Sequence, residues 1–129
     1  MQPKAAARPL DRAVQKALAL MRTGIADRWT VTRLARRVGL SRPVFARRFV
    51  EQVGTSPLRY LSRQRMECAA ELLEISDLGL AQIAKHVGYE SEFAFNRAFK
   101  RHHQVAPGAF RRERWNVQRV QRPGTPTLR

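Results

Sequence analysis

Acidic side chains are scarce in this chain: 10 Asp and Glu stand against 25 Lys and Arg, leaving +15 at pH 7. No paired carboxylates, no nucleophile beside a base and no glycine-rich phosphate loop can be read in it, which leaves an enzyme without its parts. A single cysteine, Cys68, excludes an internal disulfide and offers no metal-ligand spacing, in keeping with a reducing compartment. No apolar run approaches the ~18–20 residues that a bilayer span needs. The opening Met1 to Pro9 lacks the apolar stretch of a secretory signal, so a cytoplasmic location without a membrane partner is expected.

What is present is basic and apolar together. Hydrophobic residues make up 43% of 129 residues, enough for a packed core of one domain or two small subdomains. The excess charge calls for a polyanion or an anionic surface as partner. Most of it is arginine, whose planar fork suits phosphates and guanine edges better than an ammonium does. High-GC coding also favours Arg over Lys, but it does not account for the shortage of acids.

The apolar spacing is helical throughout, and no segment alternates as a strand does. Leu10, Val14, Ala17, Leu18 and Met21 form one stripe that stops at Gly24. Thr30 is placed to cap a short helix carrying Val31, Leu34, Ala35 and Val38. Ser41 caps the next, which buries Phe45 and Phe49, and Ser56-Pro57 starts a long one running to Ile75. Leu80, Ile83, Ala84 and Val87 then make another short helix, Ser91 caps a helix with Phe95 and Phe99, and Pro107 opens a last one with Phe110. The expected fold is all-α, with about seven helices.

Within that series one pattern occurs twice. Leu34-Ala35, Val38-Gly39, Ser41, Phe45, Arg47, Phe49 and Pro57 return as Ile83-Ala84, Val87-Gly88, Ser91, Phe95, Arg97, Phe99 and Pro107. The offset lengthens by a single residue after the glycine, taken up by Glu90. Each copy has what a helix-turn-helix requires: a small residue for close packing, a turn residue tolerant of positive φ, and an apolar inner face on the second helix. The outer faces of the second helices, 42–53 and 92–103, then carry the readers. In the first copy the positions out of phase with the phenylalanines are Arg42, Pro43, Ala46, Arg47 and Val50, and in the second Glu92, Phe93, Asn96, Arg97 and Lys100. Arg47 and Arg97 suit guanine, Asn96 adenine, and Glu92 cytosine or simply the helix N-terminus; Pro43, Ala46 and Phe93 offer apolar contact to thymine methyls. Ser41, Arg42, Arg48, Ser91, Lys100 and Arg101 are the expected phosphate contacts.

These residues resemble the AraC/XylS family of bacterial transcription regulators over roughly Leu10 to Arg112. The most telling stretch is Gly88-Tyr89-Glu90-Ser91 through Phe95, Arg97-Ala98-Phe99-Lys100-Arg101, Pro107 and Phe110-Arg111. Upstream, Trp29-Thr30-Val31, Ser41-Arg42, Phe45, Arg47-Arg48-Phe49, Val53-Gly54, Pro57, Tyr60-Leu61 and Arg65-Met66 match as well. The resemblance implies two helix-turn-helix subdomains joined by a long helix and docked in adjacent major grooves of double-stranded DNA, with Pro43, Ala46, Arg47, Glu92, Phe93, Asn96 and Arg97 facing the bases, and a regulator that recruits or obstructs RNA polymerase. It implies no cofactor. One chain is expected to span the two grooves as a monomer. The sequence departs from the pattern at Gln104, where glycine is usual, and at Phe110, where tyrosine is.

The expected organisation is a basic arm at 1–9, a first subdomain at 10–55, a linking helix at 56–76, a second subdomain at 77–114 and a disordered basic tail at 115–129. At ~1.5 Å per residue the linking helix spans ~30 Å, short of the ~34 Å between successive groove faces. Three arrangements stay open: splayed subdomains, bent DNA, or weak engagement by one copy. The adjacent pair His102-His103 does not make a metal site, because neighbours on a helix face different ways. Cys68, among Met66, Ala69 and Ala70, reads as a structural thiol. The rival reading of the whole chain is a cationic protein that binds nucleic acid or an anionic surface through charge alone.

Overall fold

The structure, a computed structural model, describes residues 10–120. The expected arm at 1–9 and the end of the expected tail lie outside them. Among the described residues there are seven helices and no strand: α1 (Arg12–Thr23), α2 (Val31–Arg37), α3 (Arg42–Val53), α4 (Pro57–Ile75), α5 (Leu80–His86), α6 (Glu92–His103) and α7 (Pro107–Val120). None of the described helices is long and apolar enough to cross a membrane. The chain forms two compact units, and the division falls inside α4, between Gln64 and Arg65.

In the first unit, α1 begins at Asp11, whose carboxylate accepts from the Val14 N–H at 2.9 Å. Asp11 and Gln52 also bond reciprocally: the Asp11 N–H donates to Gln52 Oε1, and Gln52 Nε2 donates to Asp11 Oδ2, each at 2.9 Å. This clamp fixes the start of α1 to the end of α3. The Val14 N–H, the Gln52 amide and nearby Arg48 hold the Asp11 carboxyl below its ordinary value. The cap therefore supports the fold at neutral pH and is lost as acid protonates it. Val14, Ala17 and Met21 of α1 pack with Trp29, Leu34, Ala35, Phe45, Phe49 and Leu61 in one core. The Trp29 indole donates to the Gly24 carbonyl at 2.9 Å, and the Arg33 guanidinium lies over its ring at 4.5 Å.

The second unit repeats the hairpin on a different frame. Ile83, Ala84, Val87, Phe95, Ala98 and Phe99 pack against Met66, Ala69 and Leu73 of α4 and Phe110 of α7. The turns of the two copies match bond for bond. Leu40 N–H donates to the Ala35 carbonyl and Gly39 N–H to Arg36; Tyr89 N–H donates to Ala84 and Gly88 N–H to Lys85. Those paired bonds close a helix through a left-handed residue, and the glycines take it at φ of +78° and +97°. The helix starts differ: Thr30 caps α2 with its hydroxyl, whereas α5 has Gly79, whose N–H donates to Gln82 Oε1.

A second difference lies after α6. Gly54 ends α3 at φ +96°, but the matching position is Gln104, held left-handed at φ +68°. A side chain costs energy in that region. Gln104→Gly is expected to raise stability by about 1 kcal/mol. A urea midpoint that stays put or falls in the variant would contradict this.

The sequence reading ends the second subdomain at 114, and here the structure corrects it: α7 continues to Val120. Its continuation is anchored at Trp115, whose indole donates to the Glu74 carbonyl at 3.1 Å, while Arg114 reaches the Glu74 carboxylate at 3.4 Å. The fading apolar period after Trp115 therefore marks an exposed helix.

Candidate nucleic-acid interface

Both second helices are built to expose one face. In α3, Ser41 Oγ accepts from the Val44 N–H, Phe45 and Phe49 are fully buried, and their rings tilt together at 5.7 Å between centroids. In α6, Ser91 Oγ accepts from the Ala94 N–H at 3.0 Å, and Phe95 and Phe99 are likewise fully buried, 5.8 Å apart. With the inner stripe fixed, helical geometry turns the intervening residues outward.

On α3 that outer face carries Arg42, Pro43 and Arg47, all exposed, with Ala46 half-buried beside them. Val50 is also exposed. Arg47 Nε lies 4.0 Å from Glu51 Oε2 one turn along. Both side chains are well exposed, so this pair is weak and breaks easily in favour of another acceptor. Arg48 faces elsewhere: its guanidinium lies 3.5 Å from the Asp11 carboxylate, alongside the clamp between α1 and α3. It is placed to support that clamp while half of the side chain still meets solvent.

On α6 the outer face carries Glu92, Phe93, Arg97, Lys100 and Arg101, all exposed. Phe93 is 70% exposed, against none of Phe95 or Phe99. The Arg97 guanidinium lies over the Phe93 ring, 5.6 Å from its centroid. Glu92 occupies the first turn, where its charge faces the positive end of the helix dipole. Asn96 is half-buried, and its Oδ1 is buried without a hydrogen-bond partner. Bidentate contact with adenine needs that oxygen as well as the amide nitrogen, so Asn96 must change rotamer to make it.

The remaining basic residues divide by surroundings. Arg36, Arg37, Lys85 and His86 line exposed parts of the first helices of the two hairpins. His102 Nε2 lies 3.5 Å from the Glu67 carboxylate, while His103 turns inward, 4.3 Å from the Phe99 ring and 3.3 Å from the Met66 carbonyl. The two imidazole rings also meet each other edge-on, 4.6 Å between centroids. Burial, with Glu71 nearby, pushes the Cys68 thiol up from its ordinary value.

Three supports of this interface have no signature in the sequence spacing. They are the Asp11–Gln52 clamp, the Arg33 stack on Trp29, and Arg111. Arg111 donates to three backbone carbonyls, those of Leu73 at 3.1 Å, Ser76 at 3.0 Å and Leu78 at 2.8 Å. The clamp and Arg111 join residues far apart in the chain, where periodicity carries no information.

The chain is matched over residues 34–113 by a family model described as a helix-turn-helix domain. It is 44% identical over 85 residues to the HTH-type transcriptional regulator AlkR of Acinetobacter baylyi, covering 66% of this chain and 28% of that protein. A putative AraC-like transcription regulator of Streptomyces lividans is 43% identical over 102 residues, covering 79% and 34%. The chain thus spans about a third of the length of these curated relatives. Among solved structures, the C-terminal domain of AraT, a response regulator from Geobacillus stearothermophilus, superposes with a TM-score of 0.79 at 30% identity, covering 83% of this chain and 89% of that one. The DNA-binding domain of AdpA, a global transcriptional factor solved in complex with a target DNA, gives 0.76 at 30% identity, covering 89% and 100%. With its doubled hairpin, its matching turns and these likenesses, the chain belongs to the AraC/XylS family of helix-turn-helix transcription regulators.

Proposed function

We propose that this chain binds double-stranded DNA sequence-specifically and regulates transcription, with α3 and α6 each entering a major groove. The observation that carries the reading is the common build of the two helices. In each, a buried phenylalanine pair anchors one face and an exposed arginine, Arg47 or Arg97, stands on the other. The capped N-termini add backbone N–H groups and a positive dipole end for phosphate, and the net charge of +15 supplies attraction to the duplex. The AdpA domain, similar over 89% of this chain, was solved on its target DNA, and the relatives carry the names of transcription regulators. Pro43, Ala46, Arg47, Glu92, Phe93, Asn96 and Arg97 are the proposed base-facing residues. Ser41, Arg42, Ser91, Lys100 and Arg101 are the proposed phosphate contacts, with Arg48 joining them from its place beside Asp11. The unit acts as a monomer on DNA and meets RNA polymerase as its protein partner.

Arg97→Ala tests this reading. Selection from a random duplex pool should return the same site as the parent except at one base pair, where the preference relaxes by about 1–3 kcal/mol. Arg101→Ala should instead weaken every duplex alike and lower the salt dependence by about one phosphate's worth. An unchanged base profile in the Arg97 variant would count against base reading by α6.

A further inference from the structure

We propose that Phe93 positions Arg97, and that the two side chains together read a guanine and a thymine on adjacent base pairs, an inference that rests on the DNA-binding function above. The two residues stand one turn apart on α6, where side chains meet. The guanidinium carbon of Arg97 lies 5.6 Å from the centroid of the Phe93 ring, within range of a cation–π contact. Phe93 is 70% exposed, so packing does not explain it: the inner face of the helix is already filled by Phe95 and Phe99.

The first copy shows what the ring contributes. There the matching position is Pro43, which has no π face, and Arg47 Nε leans instead toward Glu51 Oε2 at 4.0 Å. The same arginine is thus braced by an aromatic ring in one copy and drawn to a carboxylate in the other. A carboxylate draws on the same donors that guanine needs, although this exposed pair at 4.0 Å holds them only weakly. A ring has no lone-pair acceptor for the fork, so it leaves the N–H donors free for O6 and N7. It also restricts the long side chain before binding, which lowers the ordering cost of the contact.

The second half of the proposal follows from the ring's own chemistry. An exposed phenyl in the major groove has one apolar mark to meet, the thymine C5-methyl. Base pairs stack ~3.4 Å apart, so a ring beside a guanine-bound guanidinium falls over the neighbouring pair. The combined target is a guanine next to a thymine, and α6 is a composite reader where α3 is not.

The test uses the full chain and a duplex chosen by selection from a random pool. Binding is compared on that duplex, on one with the guanine replaced, and on one with deoxyuridine in place of the adjacent thymine. The parent should lose about fourfold on the deoxyuridine duplex, the worth of one methyl. Phe93→Ala should remove that penalty and cut guanine preference about two- to fivefold. Phe93→Tyr should restore both, whereas Phe93→Leu should restore the methyl preference alone, a split that mere helix support does not produce. The inference is overturned if Phe93→Ala leaves guanine preference intact, or if the parent ignores the missing methyl. A parent chain with no preferred duplex defeats the DNA-reading function itself, whereas a parent with a preferred duplex and an indifferent Phe93→Ala variant defeats only this inference.

Discussion

Phe99→Ala is expected to cost about 3–5 kcal/mol of stability. Phe99 is fully buried and meets three rings: Phe95 at 5.8 Å, Phe110 edge-on at 5.3 Å and His103 at 4.3 Å. Truncation leaves a cavity among residues drawn from α4, α6 and α7, which cannot all collapse into it. Small domains hold only about 5–15 kcal/mol in reserve, so the second hairpin should be largely unfolded near its former melting temperature. Phe93→Ala on the same helix is the internal control. Its ring is 70% exposed, and its removal should change stability by no more than about 0.5 kcal/mol. Urea unfolding followed by circular dichroism measures both. Equal losses in the two variants would contradict the placement of one ring inside and the other outside.

Arg111→Ala should be the next most damaging change, costing about 2–3 kcal/mol, although this arginine sits on neither reading helix. Its guanidinium receives no carboxylate partner among the described residues. It bonds the carbonyls of Leu73, Ser76 and Leu78, and lies 5.2 Å from the Trp115 ring. Leu73 is one of the last residues of α4, whose final carbonyls have no partner within the helix and carry the negative end of its dipole. One planar cation therefore ties off the end of α4, the bend before α5, and α7. Lysine keeps the charge but cannot reach three acceptors in a fork, so Arg111→Lys should recover less than half of the loss. Denaturant unfolding of the three proteins decides it. A loss below about 1 kcal/mol in Arg111→Ala would show that solvent serves those carbonyls as well.

The difference between these two residues explains what the sequence made legible. Phe99 belongs to a periodic stripe, and its counterpart Phe49 stands in the other copy, so its burial follows from spacing alone. The caps at Thr30, Ser41 and Ser91 and the left-handed glycines at 39 and 88 are local in the same sense, each serving a bond within a few residues. Arg111 looks like any other arginine in a chain that holds 25 basic residues. Its role depends on carbonyls brought to it by the fold. Arg48 is similar: it falls on a reading helix and so resembles a phosphate contact, yet the structure sets it beside Asp11. Asn96 could be placed on the outer side of α6 from spacing, but the direction of its amide depends on packing. The extension of α7 to Val120 was hidden for the same reason, since an exposed helix held by Trp115 and Arg114 has little apolar period of its own.

The two copies thus share a scaffold and differ in what they show to a partner. Both bury a phenylalanine pair, but only the second braces its outward arginine on a ring. Whether the chain reads sequence or binds by charge alone is decided by its preference among duplexes. The most direct measurement is competition between a selected duplex and random DNA as salt is raised from ~50 to ~200 mM. Sequence-specific recognition predicts that affinity for both falls while the selected duplex stays preferred by at least ~1,000-fold. Loss of the preference, with all duplexes converging on one salt-dependent affinity, would contradict it.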